Sequence, residues 1–322
     1  MELSRRQTLL GAVATGALAL MGTDVQAAQV LEGRAFGSTW RIMLADVADG
    51  AGFLQTVEDV LSDVDRAMSP YRVDSDLSRF NVTRTVDWQI VSGPTAHVAA
   101  GALRIAAQTR GAFDPTVGPL VGRYGFGPIT GELGSYRDLN VRGDAIRKAR
   151  PGLTLDLCGI AKGHALDRVV AALRDFGHRN ALVEIGGEVR ALGGRADGGP
   201  WQVALLDPTA GAPSVHRIIA PGELALATSG PSHNGLRTGR LSASHIIDPM
   251  RREMAGPALL SVSVLAETGT EADALATAFC AAGAEAGIEM AEEAGIAALF
   301  LLATDDAPRE VMTGAFANYV IV

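Results

Sequence analysis

Apolar and polar positions along the chain follow two periods in turn. Thr39-Trp40-Arg41-Ile42-Met43-Leu44 reads as a strand, and Phe53, Val57, Val60, Leu61, Val64 and Met68 then recur at helical spacing. Pro94 to Arg110 reads as a second helix stopped by Gly111. A third runs from Gly163 to Phe176, with Leu166, Val169, Val170 and Leu173 on one face and Gly177 as its stop. A strand-like run, Leu153 to Leu157, precedes it, and others follow at 180–185, 201–206, 243–247 and 259–265. Helices from Glu271 to Ala282 and over 284–294 then lead to strands at 297–302 and 315–321. Strands cluster between helices without one-to-one alternation, and short glycine links such as Gly186-Gly187 and Gly193-Gly194 join some of them. The pattern predicts an α+β fold with largely antiparallel sheets and packed helices. With no long Pro- or Ser-rich linker, residues 28–322 read as one domain.

The first 27 residues read as an address. Arg5-Arg6 precedes an apolar run from Leu9 to Met21, and Val25-Gln26-Ala27 supplies a small-residue cleavage pattern, so a cleaved twin-arginine export signal is expected. The run has 13 residues and two glycines, short of the roughly 20 needed to span a bilayer. No cysteine follows it to carry a lipid, so no stable membrane anchor is expected, and the predicted location is the periplasm. Such export usually carries proteins that fold or load a cofactor first.

Composition narrows the classes further. At 48% hydrophobic and 20% charged residues, the 322-residue chain is too apolar for a disordered protein. A net charge of −8, with no basic cluster after the first ten residues, argues against a nucleic-acid surface. Lys148 and Lys162 are its only lysines. Cys158 and Cys280 read equally as buried thiols or as a bridge formed after export.

Four segments carry candidate chemistry. Asp156-Leu157-Cys158-Gly159-Ile160-Ala161-Lys162-Gly163 joins small residues, a helix start and a lysine, which suits a phosphate cradle or a plain tight turn. In Thr270-Glu271-Ala272-Asp273-Ala274-Leu275-Ala276-Thr277, Asp273 and Thr277 share a helical face as hard oxygen ligands suited to Mg²⁺. Thr270 and Asp273 also fit a capping pattern, which on local grounds alone is favoured. Ser244-His245-Ile246-Ile247-Asp248-Pro249 puts His245, suited to acid–base work, at a strand end. Gly111-Ala112-Phe113-Asp114-Pro115-Thr116-Val117-Gly118 reads locally as a rigid Asp-Pro turn.

Together these segments resemble the bacterial FAD:protein FMN transferase (ApbE) family, in its order. Phe36-Gly37-Ser38-Thr39-Trp40 is similar to the family's M-G-T opening, with Phe36 for methionine. Met68-Ser69-Pro70-Tyr71 and Asp74-Ser75-Asp76-Leu77-Ser78-Arg79-Phe80-Asn81 resemble its M-S-x-Y and D-S-x-L-S-x-x-N elements. Residues 111–118 match G-x-F-D-P-T-V-G, and Tyr124-Gly125-Phe126-Gly127 matches W-G-F-G. Residues 156–163 match D-L-G-G-I-A-K-G, with Cys158 for the first glycine. Thr228-Ser229-Gly230, Ser244 to Pro249 and Ala272 to Thr277 resemble T-S-G, S-H-I-I-D-P and A-D-A-x-x-T.

The resemblance implies an α+β fold with FAD in a cleft between lobes and Mg²⁺ beside the pyrophosphate. By position, Gly159 (through its carbonyl), Asp273 and Thr277 are the implied metal ligands, and Ala276 stands where some members add a carboxylate. Phe36, Tyr71, Ala112, Phe113, Asp114, Asp156, Lys162 and Ile247 fall where the family contacts FAD. The implied reaction is Mg-dependent transfer of FMN from FAD to a Thr or Ser hydroxyl of an envelope flavoprotein, leaving a phosphoester and AMP. His245 is the first candidate for the proton acceptor, before Asp248 and Asp114, and Lys162 for stabilising phosphate charge. A FAD pyrophosphatase and a non-catalytic flavin carrier are the alternatives.

Overall fold

Along the first predicted strand, Trp40, Ile42 and Leu44 enter one hydrophobic core and Met43 enters another, so the strand is covered on both faces. The computed structural model describes residues 17–19, 29–45, 50–210, 214–230, 236–238, 241–243, 245–305 and 307–322. Among the described residues the main sheet has eight strands: β1 (Gln29–Ala35), β2 (Ser38–Leu44), β3 (Ala181–Ile185), β4 (Glu188–Leu192), β5 (Ala225–Ser229), β6 (Leu259–Ala266), β7 (Ala297–Leu302) and β8 (Arg309–Thr313). Each is bonded to its neighbour in this series, and every pair is antiparallel. The sheet is therefore a meander, interrupted by long insertions. The α+β architecture with largely antiparallel sheet is as the pattern predicts.

The helices are α1 (Gly50–Met68), α2 (Asp76–Val82), α3 (Gly93–Gln108), α4 (Gly118–Arg123), α5 (Cys158–Asp175), α6 (Gly269–Ala282) and α7 (Ala284–Glu293). The apolar stripes of α1, α3, α5 and α6 share one core with Trp40, Val183, Ala227 and Val264 of the sheet. On the opposite face Met43, Leu182, Val189 and Leu299 pack with Trp201, Val203, Leu205, Ile219 and Phe316. Several of these come from a small sheet of 203–206 with 215–219, to which Ala17–Ala19 also pairs. Apart from those three residues, the predicted export segment lies outside the described residues. Among the described residues no helix is long and apolar enough to cross a membrane.

The structure corrects four predicted elements. Helix α5 begins at Cys158 rather than Gly163, because Asp156 Oδ1 accepts the Cys158 N–H at 2.9 Å and so starts the turn before the apolar stripe begins. Residues 153–157 form no strand: Leu153 makes a single parallel bridge with Glu132, and Leu157 has already left the extended region at φ −110° and ψ 10°. There the side chain of Asn81 substitutes for a strand, donating from Nδ2 to Leu155 O (2.8 Å) and accepting from Leu155 N (2.7 Å). The predicted strand 243–247 is two short pieces, Leu241–Ala243 and Ile247–Asp248, with residue 244 outside the described set. The last predicted strand is displaced: β8 ends at Thr313, and Phe316–Tyr319 forms a 3-10 turn. Between them Gly314 turns at φ 53° where a Cβ would meet Ile296 O at 2.7 Å, so the chain changes direction.

Lys148, at the end of strand Ala145–Lys148, is fully buried. Its Nζ donates to Phe80 O at 3.1 Å, at the end of α2, and lies 4.9 Å from the centre of the Phe80 ring. Burial, followed by the Arg84 charge, pulls this ammonium down to about 8 from its ordinary 10.5. Between those two values the unfolded chain binds more protons than the folded one, so stability rises with pH across that window. Denaturant unfolding from pH 7 to 11 is expected to show this rise in the wild type and not in Lys148→Met; equal slopes would contradict the assignment.

Candidate active site

The site forms where the start of α5 meets α6. Gly163 and Gly269 cross in backbone contact: a Cβ on Gly163 would lie 2.0 Å from Gly269 O, and one on Gly269 would lie 2.6 Å from Gly163 O. Asp167, one turn further along α5, binds the start of α6. It accepts from Gly269 N (2.7 Å), Thr270 N (2.9 Å) and Thr270 Oγ1 (2.7 Å), and is itself held by Arg190 at 2.8 Å. Helix α6 thus receives a carboxylate at its positive end from a neighbouring helix.

This corrects the capping reading of Asp273. The N-cap of α6 is Thr268, whose side chain accepts from Glu271 N at 3.2 Å. Asp273 is buried a turn later and accepts the Gly163 N–H through Oδ2 at 3.0 Å. Its other oxygen, Oδ1, lies 3.9 Å from Lys162 Nζ. Lys162 is also paired with Glu188, a residue not singled out from the sequence. Glu188 opens β4 after the Gly186-Gly187 turn, and a Cβ on Gly186 would lie 3.3 Å from Lys162 Cδ. Burial pulls the Lys162 ammonium down, but Asp273 and then Glu188 more than offset this and hold it above its usual value. Burial pushes the Glu188 carboxyl up against the opposing pull of Lys162.

Gly159, Phe113 and Thr277 converge on the same end of α5. A Cβ on Gly159 would lie 3.1 Å from Thr277 Cγ2, 3.3 Å from Thr277 Oγ1 and 3.2 Å from Phe113 Cε2. The missing side chain leaves backbone facing the hydroxyl. Asp273 and Thr277 share one face of α6, and Ser229 of β5 lies 3.5 Å from Thr277 Oγ1. The Asp273 carboxylate, the Thr277 hydroxyl and the Gly159 backbone are hard oxygen donors of the kind Mg²⁺ takes, and they fit such an ion. Among the described residues no three His, Cys, Asp or Glu side chains form a metal-holding group. An ion here would depend on carbonyl, hydroxyl, phosphate and water oxygens as well.

Asp156 ties the cradle to the Asp-Pro loop, its N–H donating to Pro115 O at 2.7 Å. Burial raises its carboxyl, opposed by the Cys158 N–H. Cys158 reaches solvent, and both cysteines are free thiols. Asp114 uses Oδ1 within its own loop, accepting from Thr116 N (2.8 Å) and Thr116 Oγ1 (2.7 Å), and Oδ2 to accept from Tyr136 N (3.0 Å) of the 3-10 turn at 136–138. Its work here is to shape the 111–118 turn, which carries Ala112 and Phe113.

Tyr71 stands exposed and donates to Phe126 O at 3.3 Å. Surrounding protein, then Cys158 and Asp156, raise its phenol above the ordinary value. The Phe126 ring in turn meets His245 edge-on with centroids 6.3 Å apart, which links His245 to Tyr71. Ile247 is buried in a two-residue hairpin with Met254. Phe36 sits half-buried at the β1–β2 turn with φ 53°, followed by Gly37 at 74°. A left-handed aromatic residue there costs about 1–2 kcal/mol, a strain of the sort found at ligand sites.

Residues 36–300 match the model of the ApbE family, and the chain belongs to that family. It is 37% identical to the FAD:protein FMN transferase of Vibrio cholerae, over 94% of this chain and 96% of that one. The Haemophilus influenzae protein of the same name is 34% identical, covering 86% and 87%. Among solved structures, the flavin transferase ApbE from Vibrio cholerae superposes with a TM-score of 0.82 at 34% identity, covering 90% of this chain and 98% of that one. The apo form of the Pseudomonas stutzeri flavinyl transferase ApbE gives 0.81 at 30% identity, covering 90% and 96%.

Proposed function

We propose that the chain transfers FMN from FAD to a threonine or serine hydroxyl of an exported flavoprotein, with Mg²⁺ held by Gly159 O, Asp273 and Thr277. The observation that carries this reading is the convergence of Lys162, Asp273, Gly159 and Thr277 at the start of α5, in a chain whose relatives are FAD:protein FMN transferases. Bound there, Mg²⁺ would neutralise pyrophosphate charge and make AMP a better leaving group. The remaining chemistry belongs to the chain. Phe36, Tyr71, the 112–114 turn and Ile247 contact the flavin nucleotide, and Lys162 and the α5 N-terminus take up phosphate charge. The acceptor oxygen bonds to the FMN phosphorus as the anhydride bond to AMP breaks, and His245 takes the hydroxyl proton. The twin-arginine pattern in the first 27 residues supports a periplasmic reaction, where a covalently held flavin cannot diffuse away.

Incubation of the purified chain with FAD and Mg²⁺, with and without acceptor, tests this reading. AMP release that requires acceptor, with flavin fluorescence on the acceptor band, is expected. AMP and FMN released without acceptor would make water the nucleophile and the protein a pyrophosphatase; no product would make it a carrier. For His245→Ala, retained FAD binding and transfer slowed by about 10²–10⁴ are expected. Loss of FAD binding would assign the histidine a structural role instead.

A further inference from the structure

Glu188 is 2% exposed, and its two carboxylate oxygens are in different situations. Oε1 pairs with Lys162 Nζ, whereas Oε2 is buried and has no hydrogen-bond partner among the described residues. A buried acceptor left without a donor costs about 1–3 kcal/mol, and more when it carries charge. A bound water or ion is one of the few ways such an atom is satisfied in a folded protein. The surroundings indicate which. Lys162 Nζ is shared between Glu188 and Asp273, so two buried carboxylates gather around one ammonium and the group carries an excess of negative charge when all three are ionised. The Lys162 side chain also passes close to the Gly186 turn, where even a Cβ would stand 3.3 Å from its Cδ. On α6 the position before Thr277 is Ala276, fully buried, so that helix offers no second carboxylate there. Mg²⁺ held by few protein oxygens keeps several of its waters, and those waters need acceptors.

We propose that Glu188 is a positioning residue of this site: through Oε1 it holds Lys162 beside Asp273, and through Oε2 it accepts a hydrogen bond from a water of the hydrated cation. The inference rests on the metal-dependent reading given above, and it assigns the sheet, through β4, a part in cation affinity that neither α5 nor α6 supplies. Removing the charge while keeping the shape is expected to weaken the cation about 10–100-fold, the usual effect of losing a group that orients a metal shell.

The direct test is Mn²⁺ titration of the full chain with saturating FAD and no acceptor, followed by the electron paramagnetic resonance of free Mn²⁺, with circular dichroism melting to establish that each variant is folded. Glu188→Gln is expected to raise the Mn²⁺ dissociation constant by that factor with nearly unchanged melting. Glu188→Asp, which keeps the charge, is expected to recover most of the affinity. The Mg²⁺ concentration for half-maximal flavin transfer is expected to rise in Glu188→Gln by the same factor, with a much smaller fall in kcat at saturating Mg²⁺. Wild-type Mn²⁺ affinity in folded Glu188→Gln would overturn the role of Glu188 and leave the proposed function standing. Absence of saturable Mn²⁺ binding in the wild type would overturn both.

Discussion

Asp273→Asn is expected to lower flavin transfer by at least about 100-fold while leaving the fold intact. The asparagine carbonyl still accepts the Gly163 N–H that Asp273 Oδ2 now accepts at 3.0 Å, so the α5–α6 crossing keeps its bond. What disappears is the negative charge that faces Lys162 and that the proposed cation would use. Asp273→Ala is a harsher change. It also removes the buried side-chain acceptor of the Gly163 N–H, a hydrogen bond of about 0.5–1.5 kcal/mol, so the alanine variant is expected to melt earlier as well as to be inactive. Transfer assays paired with thermal melting separate the two effects. Wild-type activity in Asp273→Asn would remove Asp273 from the metal site.

The second large effect concerns backbone contact. At Gly163 an added methyl would stand 2.0 Å from Gly269 O and 2.8 Å from Thr270 N, atoms that cannot rotate away. Gly163→Ala must push α6 off α5, and overpacking of this kind costs about 1–3 kcal/mol or more. The same displacement moves Asp273 and Thr277 relative to Gly159, so activity is expected to fall more steeply than stability. Gly101 in α3 is the control: its Cβ would meet only Ile160 Cδ1, at 3.8 Å. Gly101→Ala is expected to be neutral or to stabilise by about 0.5–1 kcal/mol. Equal melting temperatures for the two alanine variants would show that the helices can separate without penalty.

Local periodicity disclosed the framework and little of what positions the site. The stripe from Phe53 to Met68 and the apolar run over 297–302 became α1 and β7 because their burial follows from spacing alone. Periodicity predicts the start of α5 too late because its first turn is started by Asp156 and carries no apolar stripe. Asp273 looked like a cap because a cap and a metal ligand use the same residue types; only the third dimension shows Thr268 doing the capping and Asp273 facing Gly163 and Lys162. Glu188, Asp167 and Asn81 depend on partners far along the chain, at Lys162, Gly269 and Leu155, which no local pattern can pair. One signal was nonetheless present for Glu188. A charged residue directly after the Gly186-Gly187 turn opens a strand whose other positions are mostly apolar, and a charge in such a place needs a partner.

The order of motifs carried what spacing did not, since it linked segments whose separate readings were a turn, a cap and a lone histidine. The structure brings Phe113, Gly159, Lys162, Asp273 and Thr277 to one place and connects Tyr71 through Phe126 to His245. The central claim is that this place moves FMN onto a protein hydroxyl. The most direct measurement is the intact and peptide mass of an envelope flavoprotein acceptor after incubation with the purified chain, FAD and Mg²⁺. The account predicts a gain equal to FMN less one water, located on a threonine or serine and absent with Asp273→Asn. An acceptor of unchanged mass while FAD is consumed to FMN and AMP would contradict it.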